Sequence, residues 1–145
     1  MQVNPKITFF IPDFDNPINT SFISSEIKAG FPSPAADFEE SKVSLDHLLI
    51  KNKEATFYAK ASGNSMIGAG IDDGDILVID RSLEPRNNAV SVCFIDGEFT
   101  VKRIKKIEEA VFLMPENPNY APIQIEPHNE FIIWGIVTYV IKQIK

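Results

Sequence analysis

Val90-Ser91-Val92-Cys93-Phe94-Ile95-Asp96-Gly97-Glu98-Phe99-Thr100-Val101-Lys102-Arg103-Ile104 reads as two β-strands folded back on one another. Val90–Ile95 is a β-branched and aromatic run, and Glu98–Ile104 carries a second one. The Asp96-Gly97 pair between them supplies the positive backbone angles that a tight two-residue hairpin demands. Working outward, the same signature recurs at Thr56–Ala61, Asp75–Asp80, Val111–Met114, Ile123–Ile125 and Phe131–Ile141, with a further turn signal at Asp73-Gly74-Asp75. Many short strands with little helix predict a compact, mostly antiparallel β fold. In the last strand both faces are apolar: Phe131, Ile133, Val137 and Tyr139 on one, Ile132, Trp134, Ile136 and Val140 on the other. That pattern suits a strand in a sandwich core or at a subunit interface. One short helix is expected at Leu45–Ile50, with Ser44 as N-cap and Asp46 in its first turn. Leu45, Leu48 and Leu49 would share its inner face and pack on the body.

The chain divides by composition. Residues 1–29 are rich in Asn, Pro, Ser and Asp, with apolar residues scattered as Ile7-Thr8-Phe9-Phe10-Ile11 and Phe22-Ile23. No amphipathic helix pair emerges there, so a helix-turn-helix does not fit, and the stretch reads as an extended arm. Residues 30–41 read as a hinge segment, because Pro32 and Pro34 favour extended backbone. Residues 42–145 form the body. The N-terminus has no charged region followed by a long apolar stretch, and the run Phe131–Ile141 is far short of the roughly 20 residues that span a bilayer. The expectation is a cytoplasmic protein with no membrane association.

A chain of 145 residues with 44% hydrophobic and 23% charged residues fits one domain of ordinary soluble composition. Its net charge of −6 argues against direct DNA binding, which needs a basic surface to displace counterions. The local run Lys102-Arg103-Ile104-Lys105-Lys106 reads as a solvated strand edge. Cys93 is the sole cysteine, so neither a disulfide framework nor a cysteine-based metal site can be built. It reads as a small buried hydrophobe. His47 and His128 have no neighbouring ligand set, and no cofactor or metal is expected.

The segment with chemical content is Ala61-Ser62-Gly63-Asn64-Ser65-Met66. It follows a predicted strand and would present Ser65 near the strand end, while Gly63 allows amides to converge on one oxygen as an oxyanion hole requires. Taken by itself the segment reads first as a polar turn between strands. A serine is a weak nucleophile without a base. A lysine can serve if it is neutral, and lowering its pKa from about 10.4 to about 7–8 takes roughly 3.5–4.5 kcal/mol. Burial beside apolar groups is the usual means. Lys102 is the candidate, on one strand face with Thr100 and Ile104, although a lone strand lysine also reads as a solvated edge residue. A Ser-x-x-Lys scheme fails because residue 68 is glycine, and a Gly-x-Ser-x-Gly elbow fails because residue 67 is isoleucine.

Together, Ala29-Gly30, Ser62-Gly63-Asn64-Ser65-Met66, Asp73-Gly74-Asp75 and Asp96-Gly97-Glu98-Phe99-Thr100-Val101-Lys102-Arg103, in that order and spacing, resemble the LexA/UmuD family of self-cleaving serine peptidases over about residues 29–145. The resemblance implies a LexA-like peptidase β fold with Ser65 as nucleophile, Lys102 as general base, and Ala29–Gly30 as the bond the chain cuts in itself. Gly30-Phe31-Pro32-Ser33-Pro34-Ala35-Ala36-Asp37 is closer to the UmuD branch, and the arm is too short for the DNA-binding domain of a LexA repressor. That branch implies a homodimer in the SOS DNA-damage response, stimulated by a RecA filament on single-stranded DNA. Its trimmed form would join a UmuC-like error-prone translesion polymerase as an accessory subunit. Two features depart from the UmuD pattern: Asn64 stands in place of an acidic residue, and the bond is Ala-Gly in place of Cys-Gly. The alternatives are a non-cleaving interaction module of the same fold and a signal-peptidase-like enzyme acting on other chains.

Overall fold

The Asp96-Gly97 hairpin closes as its residues dictate. Asp96 (φ 47°) and Gly97 (φ 85°) occupy the two left-handed positions of a primed turn, and Ile95 pairs with Glu98. The computed structural model describes residues 7–23 and 40–144. Among them the strands are β1 (Thr8–Phe10), β2 (Asn19–Ile23), β3 (Glu40–Ser44), β4 (Thr56–Lys60), β5 (Ile76–Asp80), β6 (Val90–Ile95), β7 (Glu98–Ile107), β8 (Ala110–Met114), β9 (Ile123–Gln124) and β10 (Phe131–Ile141). The single α-helix among the described residues, α1, is Leu45–Leu49. No helix among these residues is long and apolar enough to cross a membrane. The fold is mostly β, as the strand pattern predicts.

The chain separates into two compact units, Asp13–Lys51 and the remainder. The larger unit is built on one eight-stranded sheet in the order β1-β4-β5-β10-β6-β7-β8-β9, with each pairing antiparallel. Alternate inward side chains make its core. One cluster gathers Ala59, Ala61, Met66, Ile71, Leu77, Ile79, Val92 and Val101, and a second gathers Cys93, Ile104 and Leu113. Cys93 is fully buried, as expected of a small hydrophobe in an apolar strand. The smaller unit pairs β2 with β3, from Asn19↔Ser44 to Ile23↔Glu40, and continues into α1.

Three details differ from the sequence reading. Thr8–Phe10, read as part of an arm outside the core, forms a sheet strand against β4, and Ile7 and Phe9 pack on the first core cluster. The strand β10 does not keep a strict two-residue alternation, because its pairing shifts between Ile133 and Gly135 and again between Val137 and Tyr139. Each shift resets which side chains point inward. Trp134, Val137 and Val140 therefore share the first cluster, Phe131 and Ile133 the second, and Ile132 and Tyr139 are exposed. In α1, Leu45 and Leu48 are 62% and 50% exposed. Ser44 spends its hydroxyl on the Asp46 carboxylate, so it makes no side-chain cap. Residues 30–39 of the expected hinge lie outside the described residues, and Glu40 and Ser41 begin β3.

Candidate active site

Ser65 sits on the loop that leaves β4, and this loop is held from both sides. On one side the Asp73-Gly74-Asp75 turn grips its start. The Ala61 amide donates to Asp75 O (2.8 Å), the Gly74 amide to Ala61 O (2.8 Å), and the Gly63 amide to Asp73 Oδ1 (2.8 Å). Lys142, near the end of the chain, pairs with Asp72 and Asp75 and fastens this turn to the end of β10. On the other side the loop following β8 grips its end. The Glu116 amide donates to Ser65 O (2.8 Å) and the Gly68 amide to Glu116 O (2.8 Å). Asn117 Nδ2 donates to Asn64 O (2.8 Å), and the Asn117 side chain is buried. Gly68 is required by this approach, because a Cβ there would stand 2.7 Å from Glu116 O. Met66, 3% exposed, anchors the loop in the core immediately after the serine.

Lys102 lies on β7, which is flanked by β6 and β8. It is an interior residue and only 7% exposed, so the solvated-edge reading does not hold. Its Nζ meets three oxygens: Ser65 Oγ at 2.9 Å, Thr100 Oγ1 at 2.7 Å and Val101 O at 3.1 Å. Burial lowers the Lys102 pKa below the ordinary lysine value, with the neighbouring Cys93 pulling weakly against it. Burial also pushes the Cys93 thiol up to about 12, opposed by Lys102. A small cleft of about 30 Å³ opens over the pair, lined by Ile7, Ala61, Gly63, Ser65, Phe99 and Lys102 among others.

The structure thus brings Ser65 and Lys102 together across the sheet. Ala29 and Gly30, the other two site residues read from the sequence, lie outside the described residues. Gly63 adopts the left-handed backbone that glycine permits (φ 91°), and its own amide is committed to Asp73. His47 and His128 are both exposed. Sequence reasoning missed the Glu116–Asn117 brace. Its signal, Glu116-Asn117-Pro118-Asn119, is ordinary turn composition, and main-chain bonds leave no mark on residue type. No cluster of three or more His, Cys, Asp or Glu that could hold a metal occurs among the described residues.

A mostly β scaffold that brings a half-buried serine and a buried lysine together at a cleft points to a class, the serine peptidases. Comparison with known proteins narrows it. Residues 21–138 match the family described as Peptidase S24-like, and the chain belongs to that family. It is 40% identical to the protein MucA of Salmonella typhimurium over 119 residues, 81% of each chain. It is 35% identical to the protein ImpA of Shigella flexneri over 140 residues, covering 92% of this chain and 91% of ImpA. It is also 34% identical to the LexA repressor of Bordetella avium over 116 residues, which cover 80% of this chain and 54% of the repressor.

Proposed function

We propose that this protein is a UmuD-like mutagenesis factor that cuts its own backbone between Ala29 and Gly30, with Ser65 as nucleophile and Lys102 as general base. The observation that carries the proposal is the count of partners around Lys102 Nζ. A neutral amine has two N–H groups and one lone pair. Thr100 Oγ1 and Val101 O, at 2.7 and 3.1 Å, can take the two N–H groups. The lone pair is then left for the Ser65 hydroxyl at 2.9 Å. With the lysine neutral, Ser65 O–H donates to Nζ, which is the direction that proton transfer requires.

The reaction follows from that geometry. Ser65 Oγ attacks the Ala29 carbonyl carbon while its proton passes to Lys102 Nζ. The tetrahedral adduct collapses, the C–N bond to Gly30 breaks, and Lys102 returns the proton to the leaving amine. Water then attacks the Ala29–Ser65 ester, again through Lys102, and regenerates the serine hydroxyl. Holding nucleophile and bond in one chain, or in one dimer, replaces a bimolecular encounter by an effectively unimolecular one.

In this reading residues 1–29 are an arm removed by cleavage, residues 30–41 a hinge, and residues 42–145 the peptidase domain. The protein is a homodimer of the SOS response, and a RecA filament on single-stranded DNA activates it by favouring the cleavage-ready arrangement. The trimmed form serves a UmuC-like translesion polymerase as an accessory subunit. Family membership and the likeness to MucA and ImpA support this context. Intact-mass measurement after incubation with RecA and single-stranded DNA, or at alkaline pH, tests it. A product beginning at Gly30 is expected, and neither Ser65→Ala nor Lys102→Ala should give any. A different new N-terminus, or a cut that survives either substitution, would refute the assignment.

A further inference from the structure

The two outermost strands of the sheet, β1 and β9, are also its shortest. β1 is three residues long and pairs with β4 through Thr8↔Lys60, Phe9↔Ala59 and Phe10↔Tyr58. It therefore satisfies the outer edge of β4, which otherwise would offer unpaired main-chain groups. Thr8 and Phe10 are exposed, so one side chain carries the docking. The Phe9 ring lies 4.6 Å from the Trp134 ring and 4.9 Å from the Phe99 ring. Trp134 in turn contacts Phe57 at 5.2 Å, and Phe99 contacts Phe94 at 5.3 Å. Phe9 thus closes an aromatic slot that four rings of the body build. One residue before β1, Ile7 reaches the cleft that Ser65 and Lys102 line.

An open strand edge, an aromatic slot beside it and an apolar recess at its end are the parts of a site that binds an extended peptide by adding a strand. We infer that the β4 edge and the slot of Phe57, Phe99 and Trp134 form such a strand-docking site. In the uncut chain it is held by the chain's own Ile7–Phe10. After the cut it passes to an extended segment of a partner protein that carries an aromatic residue at the place of Phe9. The hand-over rests on the cleavage proposed above, because Ile7–Phe10 precedes the Ala29–Gly30 bond. While tethered, the segment is present at an effective concentration on the order of millimolar. Once severed it falls to the concentration of the protein itself, and neither three paired residues with one anchored ring nor the five pairs that join β2 to β3 in a two-stranded, marginal sheet retain it at micromolar levels. The vacated surface is an apolar patch beside a bare strand edge, which favours cover by another strand.

Binding of a labelled synthetic peptide spanning Pro5–Pro12 tests the site without requiring cleavage. The chain is used at full length with Ser65→Ala, either with Phe9 intact or with Phe9→Ser. The peptide is expected to bind the Phe9→Ser chain at least tenfold more tightly than the chain with Phe9, and Phe9→Leu, which keeps the segment apolar, should fall between them. Trp134 is the sole tryptophan, so its emission reports occupancy directly: shifted to the red by Phe9→Ser and restored by the peptide. No binding to the Phe9→Ser chain, or binding that survives exchange of the peptide's Phe9 counterpart for serine, would overturn the site. An alternating threonine–valine peptide with one central phenylalanine should bind within about tenfold of the first. Its failure would assign the slot to this chain's own arm and overturn the partner. In the parent protein, complete self-cleavage should shift Trp134 emission as Phe9→Ser does. A cleaved protein with unshifted emission would overturn the hand-over. So would a chain that is never cut, which would also defeat the earlier proposal while leaving the peptide titration to decide the site.

Discussion

A single methyl group added at residue 68 probes how tightly the serine loop is held. In Gly68→Ala the new Cβ would stand 2.7 Å from Glu116 O and 3.4 Å from the Glu116 carbonyl carbon. The obstructing atom is main chain, so no side-chain rotation relieves the contact. Reaching ordinary van der Waals separation takes a movement of roughly half an ångström or more. That movement strains the two bonds joining the loops, Gly68 N–H to Glu116 O and Glu116 N–H to Ser65 O, each 2.8 Å long. Overpacking of this kind costs about 1–3 kcal/mol, which in a chain of this size lowers Tm by about 3–10 °C. Ser65 moves with the bridge. Because a displacement of about 1 Å can cost a hundredfold in rate, self-cleavage should slow by about tenfold. Thermal unfolding and the rate of appearance of the product starting at Gly30 measure the two effects. An unchanged Tm with an unchanged rate would refute the reasoning. A lowered Tm with an unchanged rate would show that the bridge stabilises the fold without positioning Ser65.

Lys102 is buried with its pKa depressed, so the unfolded chain binds its proton over a pH range in which the folded chain does not. Stability relative to Lys102→Met should therefore rise with pH from the folded pKa up to the ordinary lysine value, read by urea unfolding at several pH values, and a pH-independent difference would contradict the buried amine. Over the same rise, cleavage without activator should accelerate as the amine loses its charge, and a flat rate from neutral to alkaline pH would exclude a lysine base. Cys93, buried and with its thiol pushed up to about 12, should resist a thiol reagent in the native protein and react at the pace of unfolding; fast native labelling would show that β6 opens locally. Gly30→Trp should slow cleavage with Ser65 and Lys102 intact, because a bulky group keeps the backbone from the serine, and a rate equal to the parent's would remove the requirement for small residues at that bond.

The strands of the body were legible because alternation and turn chemistry are local. Thr56, Ile76, Val90, Glu98 and Phe131 each start a strand within a residue of where the pattern puts it. What local pattern cannot carry is partnership. Ile7-Thr8-Phe9-Phe10-Ile11 is as β-branched and aromatic as the body strands, but its partner, the outer edge of β4, cannot be read from it. The two register shifts in β10 depend on what β5 and β6 present beside it, and an apolar run looks alike with or without them. Lys102 illustrates both sides. Its place on one strand with Thr100 could be read directly, and the two side chains do meet at 2.7 Å. Its burial could not, since that follows from the Ser65 loop lying against β7 at this point. The pairing of Ser65 with Lys102 came from resemblance, as nothing in their separation along the chain demands it.

The bridge between residues 68 and 116 has unequal ends. At residue 116 the chain lends only its amide and carbonyl to the serine loop, while the Glu116 side chain turns to Arg103 in a half-exposed ion pair, an interaction of small worth at a surface. Any residue with a main-chain N–H can supply the same two bonds, so as far as these bonds go only proline is barred from that position. At residue 68 a side chain of any kind requires the main chain of residue 116 to shift. The latitude for change around Ser65 is thus decided by which partner of a main-chain bond has space beside it, and a residue with a large, charged side chain can be the more replaceable of the two.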